Sequence, residues 1–472
     1  MHYSLKKAYP FFLCLLLLCL HTRFAFSQDS NVPEPVPAGK GSTVLHAFVG
    51  SGEILMSNAI VMTYNIFYHK LTGKADWSTP TGNSIRKNLT EPWEWDADPF
   101  GVNQRGHPYQ GSYYFSAGRV NGFGFYESGI FSVFGSSTWE IFFENQTPAI
   151  NDLITTSIGS LSTGEILYRL YLEACAAGIP APIAFFLNPM AGFHRLVTGW
   201  KPPEVGRNIC LFQVYAGAGY ARTVSLLPAE SRELFSFRGP YAGTGLKLIY
   251  GDPFRQESKT PFEHFELGMN LGMDIGDYMV IQFITDGYLF SFSPVCTEKD
   301  AISTGLSLHW DIASNGEFGQ GDTTIDQYSN ALDWTIKHRH LFSVDAVFQS
   351  KLHAGVTLMG IPRYYSPETD SHKSSYGAGL NSKLFFILDH KKLGRLETNV
   401  FGYLLWCYPG IRGLSQGTVY WLFADVAYSY PISKRLFAGV NNSLIMERGT
   451  FSGFPNTRKY NNEAKMFIGW NL

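Results

Sequence analysis

The chain has 472 residues; 16% are charged, 15% are aromatic, 47 are glycine, and the formal net charge is −2. That length allows two domains, and a mildly acidic balance argues against nucleic acid or a polybasic lipid surface as partner. Low charge with many aromatics and glycines suits a lipid-facing exterior and many strand turns.

The start reads as a cleavable signal peptide over 1–27: Lys6 and Lys7, an apolar run from Phe11 to Leu20, then Ala25-Phe26-Ser27 with small residues at the cleavage positions. The apolar run is short for a membrane span. Cys14 and Cys19 each follow Leu, which speaks against a lipoprotein. Of the remaining cysteines, Cys175, Cys210, Cys296 and Cys407, none forms a C-x-x-C pair, so separate thiols are expected and no metal or cofactor. Residues 28–51 read as a flexible leader, polar and Pro-rich at its start.

A helical module, periplasmic or membrane-associated, is expected over 52–200. Helical spacing runs from Gly52 to Lys70, and 72–106 looks irregular. Ser112 to Glu144 predicts two helices or one broken near Gly122–Gly124. Thr147-Pro148 offers an N-cap for a third helix, which Gly178 and the following prolines end. Ser157, Ser160 and Gly164 make a small-residue stripe on which another helix can lie. None of these helices reads as a continuous span, because Glu127, Glu140, Asp152 and Glu165 interrupt them.

After about Asn208 the apolar period becomes two, and 205–472 is expected to form an antiparallel transmembrane barrel of about twelve strands. Phe265, Leu267, Met269 and Leu271 alternate with Glu266, Gly268, Asn270 and Gly272, the signature of a membrane strand. Twelve such segments start near Asn208, Glu233, Phe262, Asp277, Ala301, Gln327, Ser343, Ser375, Lys392, Gly417, Arg435 and Asn462. Long polar connections alternate with short ones such as HKKLG and PISKR, the rhythm of outer loops and periplasmic turns. The last strand, with Met466, Ile468, Trp470 and Leu472, resembles the signal read by barrel-assembly machinery, although an aromatic residue is the usual end. A soluble all-β protein is the competing fold.

The runs His107 to Phe131, Ser136 to Ser160, Thr163 to Leu170 and Asn188 to Leu196 resemble an uncharacterised bacterial domain-of-unknown-function family of envelope proteins. The resemblance implies a helical module ahead of a barrel-like region, and no activity. The ionisable groups of this segment are the candidate site residues. His107, Glu127 and Glu140 are the catalytic candidates; Arg119, Asp152, Glu165, Arg169, His194 and Arg195 are the ligand-binding candidates. Charge among apolar helices is costly unless paired, so pairing is the first expectation: Glu165 with Arg169 four residues on, and Arg119 or Arg195 with Glu127 or Glu140. His264 with Glu266, and His309 with Asp311, share the polar strand face and are expected to line the lumen rather than bind metal. No G-x-S-x-G, H-E-x-x-H or phosphate-loop motif is present. Two functions follow. The first is an outer-membrane barrel passing or binding a small molecule or lipid, with outer-membrane lipid and a periplasmic protein as partners. The second is a membrane-embedded enzyme acting on lipid or cell-wall precursors.

Overall fold

The computed structural model describes residues 40–73, 77–96, 102–254, 258–274, 278–317, 325–409 and 415–472. The signal peptide and residues 28–39 of the expected leader lie outside them. The chain divides into two compact units at Arg207 and Asn208.

The first unit is helical: α1 (Lys40–Thr72), α2 (Gly82–Thr90), α3 (His107–Val120), α4 (Phe125–Phe142), α5 (Ile150–Ala176), α6 (Ala181–Leu187) and α7 (Pro189–Thr198). Helix α1 begins twelve residues before the helix read from Gly52, so 40–51 is helix and not leader. Gly50 lies inside it and lets α1 approach α4, since a Cβ there would meet the Phe131 ring at 2.9 Å. The extension also makes Thr43–Thr72 long and apolar enough to cross a membrane by length and composition, against the expectation of no continuous span. The segment read as irregular holds α2, opened by a Thr81–Ser84 capping box, and a π turn at Val102–Gly106.

The break between α3 and α4 falls at Gly122, in the left-handed region with φ of 87°. Helix α5 starts without a side-chain N-cap. The expected cap at Thr147 is replaced by Glu140 of α4, whose Oε2 accepts the Ala149 N–H at 2.8 Å. Helix α3 lies on the small-residue stripe: a Cβ on Gly164 would strike Phe115 at 2.7 Å, and one on Gly111 would strike the Thr156 carbonyl at 2.4 Å.

The second unit is a closed antiparallel barrel of twelve strands: β1 (Ile209–Leu227), β2 (Arg232–Tyr250), β3 (Phe265–Met273), β4 (Tyr278–Cys296), β5 (Asp300–Glu317), β6 (Ile325–Ser343), β7 (Ala346–Gly360), β10 (Gly377–His390), β11 (Gly394–Cys407), β12 (Gly417–Pro431), β13 (Leu436–Phe451) and β14 (Thr457–Asn471). Each starts within five residues of its expected position. A small hairpin, β8 (Arg363–Ser366) with β9 (Ser371–Ser374), stands in the β7–β10 connection. Strand β1 closes on β14, with Gln213 opposite Asn471. The short β3 is continued by a segment that bonds beside β4, where Phe262 N–H donates to the Tyr288 carbonyl at 2.6 Å. At the end where β1 begins, short turns (297–299, 344–345, 391–393, 432–435) stand beside the longer β2–β3 connection; at the other end, short turns (228–231, 452–456) stand beside the 361–376 connection. All four described cysteines are free.

Alternation sets the two faces. On β6, Asp333, Thr335 and Lys337 are fully buried inside, whereas Trp334 and Ile336 are exposed outside. Leu352, Leu384, Leu422, Val440 and Ile468 continue the exposed apolar exterior.

Candidate functional site

The polar groups of the helical unit gather in separate places. Glu165 on α5 is fully buried between two guanidinium groups: Arg119 Nε lies 2.9 Å from Oε2 and Arg169 Nε 2.8 Å from Oε1. Arg119 also donates to the Phe123 carbonyl at 3.0 Å and lies over the Tyr168 ring. The expected i,i+4 pair is therefore present, but Arg119 bonds Glu165 rather than Glu127 or Glu140. Arg195 reaches Cys175 Sγ at 3.6 Å and neither glutamate.

His107 opens α3, its Nε2 3.3 Å from Asp152 Oδ2. Asn151 ties that carboxylate to Asp96, donating to Asp152 at 2.8 Å and to Asp96 at 2.7 Å. Burial lowers His107 to about 4, outweighing the pull of Asp96. The ring is neutral near pH 7, so its contact with Asp152 is that of a neutral imidazole, not a full ion pair.

Glu140 is buried, and desolvation, with Glu144 and Asp152 nearby, raises its carboxyl well above the usual range. Among the described residues no cation pairs with it. Glu127 differs: it is exposed in the first turn of α4, folded back over Gly124, where an acid complements the helix dipole. Thirteen residues separate Glu127 from Glu140 on one helix, about 20 Å along its axis. Glu127 therefore shares no site with Glu140, whereas His107 and Glu140 both lie near Asp152.

His194 on α7 meets a residue the sequence did not single out. Its Nδ1 lies 2.6 Å from Glu53 Oε1 on α1, and Asn121 donates to Oε2 at 2.8 Å. The partners are 141 positions apart, so spacing carries no trace of the pair.

The larger polar assembly fills the barrel lumen. His264 and Glu266 face inward, as do His309 and Asp311, and each pair is held by a lysine. Lys337 Nζ lies 2.7 Å from His264 Nε2, 2.9 Å from Glu266 and 2.6 Å from Asp286. The donor atoms of these three residues are close enough together to suit a metal ion, but the ammonium group takes the central place. Because His264 Nδ1 lies 3.0 Å from the Gly251 carbonyl, Nε2 is left as the acceptor for Lys337. Lys383 Nζ contacts His309 Nδ1 at 2.9 Å and also bonds Asp311, which accepts from Tyr403 at 2.8 Å.

Several contacts cross between strands that are not neighbours. Lys247 on β2 bonds both oxygens of Glu397 on β11, at 2.8 and 3.0 Å. Lys351 on β7 bonds Glu266 on β3. Asn315 on β5 donates to Glu463 on β14 at 2.8 Å. Between these bridges lies a cavity of about 220 Å³, lined among others by Gly217, Gly243, Asn270, Phe401, Asp425 and Lys465. The inner-face glycines leave the room that side chains fill elsewhere. Asp425 accepts from Asn399 at 2.7 Å and from Asn441, while Lys465 reaches Asn270 at 3.3 Å and lies over the Tyr215 ring.

The family model of a domain of unknown function, DUF3943, matches residues 92–189. That span holds the first three resembling runs and only the start of the fourth; Glu53, His194 and Arg195 lie outside it. Comparison with curated proteins found no match. Among solved structures, the Pseudomonas putida toluene transporter TodX is similar at 10% identity over 59% of this chain and 93% of that one, with a TM-score of 0.23. The Escherichia coli outer membrane protease OmpT has 8% identity over 56% and 97%, with a TM-score of 0.23. The NanC porin has 9% over 54% and 100%, with a TM-score of 0.25. Similarity at this level adds nothing to the barrel, which stands on its own strand pairing; the family comparison adds a segment matching a domain of unknown function.

Proposed function

We propose that the barrel spans the outer membrane and binds a small polar molecule in a closed lumen, rather than serving as an open pore. The exposed apolar residues along its strands support the membrane placement, because a water-facing sheet would carry polar groups there. From β5 onward the shorter turns lie at the end where β1 begins, which favours the periplasm for that end. The observation that carries the closed lumen is the set of bridges between non-neighbouring strands, foremost Lys247 to Glu397. Removing one partner of such a pair leaves a desolvated charge, so these bridges resist opening. The cavity among them offers carboxylate, amide and ammonium groups beside aromatic rings, the mixture by which small-molecule sites fix a polar ligand.

The test is to reconstitute the purified protein into lipid vesicles and follow swelling in small sugars and amino acids. The reading expects detergent-dependent extraction, a heat-dependent shift on a denaturing gel, and vesicles that stay tight. Extraction without detergent would remove the membrane placement, and rapid swelling would remove the closed lumen.

A further inference from the structure

The helical unit has an apolar core that includes Ile54, Tyr114, Ala117, Phe131 and Met190, and many polar side chains are buried beside it. Its interior is rich in small and polar side chains: Asn58, Ser116, Ser132, Thr155, Ser160 and Glu165 are buried to within 1% of completely. Polar side chains hold the helices together there. Asn58 donates to the Gly135 carbonyl and Thr138 at 3.3 Å, and Asn188 to Ser116 at 2.8 Å. The exterior of α1 is apolar. Val44, Leu45, Phe48, Ile60, Phe67 and Leu71 are 60–86% exposed, and no charged residue is exposed from Val44 to His69. Glu53, the one carboxylate in that stretch, points inward to His194.

In water such a surface costs about 25 cal/mol for each Å² of apolar area. Small residues at helix contacts, polar groups turned inward and large apolar groups turned outward are the arrangement of helices solvated by lipid. Val44 to Phe67 spans about 36 Å of helix, against about 30 Å for a bilayer's hydrocarbon core. Tyr64, Tyr68 and the exposed Lys70 gather at one end, as residues anchored at a headgroup boundary do.

We propose that the exposed face of α1 lies in lipid, so that the helical unit is anchored in the membrane through α1 rather than being a water-soluble domain beside it. The inference goes beyond the closed-lumen reading and shares with it only the membrane. Uncharged length favours acyl chains over a protein partner, whose interface would be expected to carry a polar rim.

Nitroxide labels on single cysteines replacing Phe48, Ile60 and Phe67 test this in the full chain, with the native cysteines replaced by serine and the protein in vesicles. Labels at Leu384 on the barrel exterior and at the exposed Lys87 serve as references, and the heat-dependent gel shift checks folding. The α1 labels should collide several-fold more often with dissolved oxygen than with a water-soluble nickel complex, as at Leu384 and opposite to Lys87. Preferential collision with nickel would overturn the proposal, and so would shielding from both reagents, which marks a protein contact. Lipid-like behaviour at Leu384 alone would leave the barrel in the membrane and α1 out of it; water-like behaviour at both would remove both readings.

Discussion

The two units dispose of buried charge in different ways. In the helical unit, charges bond within a helix or between packed helices, as Glu165 does with Arg169 one turn on and Arg119 on α3. Glu140 has no cation beside it among the described residues, and desolvation raises its carboxyl well above the usual range. In the barrel, lysines reach across the lumen: Lys337 lies 71 positions from Glu266, and Lys247 is 150 from Glu397. A helix interface is narrow and solved by near neighbours, whereas a lumen is wide and needs long side chains from facing walls. Long cations suit that span because their aliphatic stems pack while their heads bond.

The largest effect expected is at Glu165. Replacing it with Gln leaves two guanidinium groups buried without their carboxylate, a loss on the order of 3–5 kcal/mol. Limited proteolysis should then cut the helical unit while the barrel still shows its heat-dependent gel shift. Equal resistance of both units to protease would break the contrast.

The next concerns pH. His107 is depressed in the folded state to about 4 from 6.5, so its contribution is fully present above 6.5 and is lost as pH falls towards 4. The loss is on the order of 3 kcal/mol, and His107→Gln should remove it. Glu140 acts in the opposite sense: its carboxyl is raised, so its contribution is present at low pH and is lost as pH rises through the raised value. Denaturant melts of wild type, His107→Gln and Glu140→Gln across pH 4 to 8 should separate the two. An unchanged pH profile in His107→Gln would contradict the assignment.

A smaller effect sharpens the barrel side. A double-mutant cycle on Lys337→Met and Glu266→Gln should give a coupling on the order of 0.5–3 kcal/mol in the unfolding free energy from denaturant melts. Additive losses would mean that the lumen bridges do not act as pairs.

What the sequence showed follows the same divide. Period-two alternation located all twelve strands, because each wall residue reports its own face. The Glu165–Arg169 pair was legible for a similar reason, since partners one turn apart sit together on any helix. The choice of Glu165 by Arg119 was not legible, because helix packing sets it. Nor was Glu53, whose partner His194 is 141 positions away. The N-cap expected at Thr147 failed because a carboxylate from another helix caps α5 instead. At α1, the polar, Pro-rich start of 28–51 carries the leader reading too far, into residues 40–51 that are helix.

The central claim is that ionic bridges close the lumen, and conductance across a planar bilayer tests it most directly. Wild-type protein should show no steady current, and Lys247→Ala combined with Glu397→Ala, verified as folded by the gel shift, should conduct. A steady wild-type current, unchanged by the double substitution, would contradict the account.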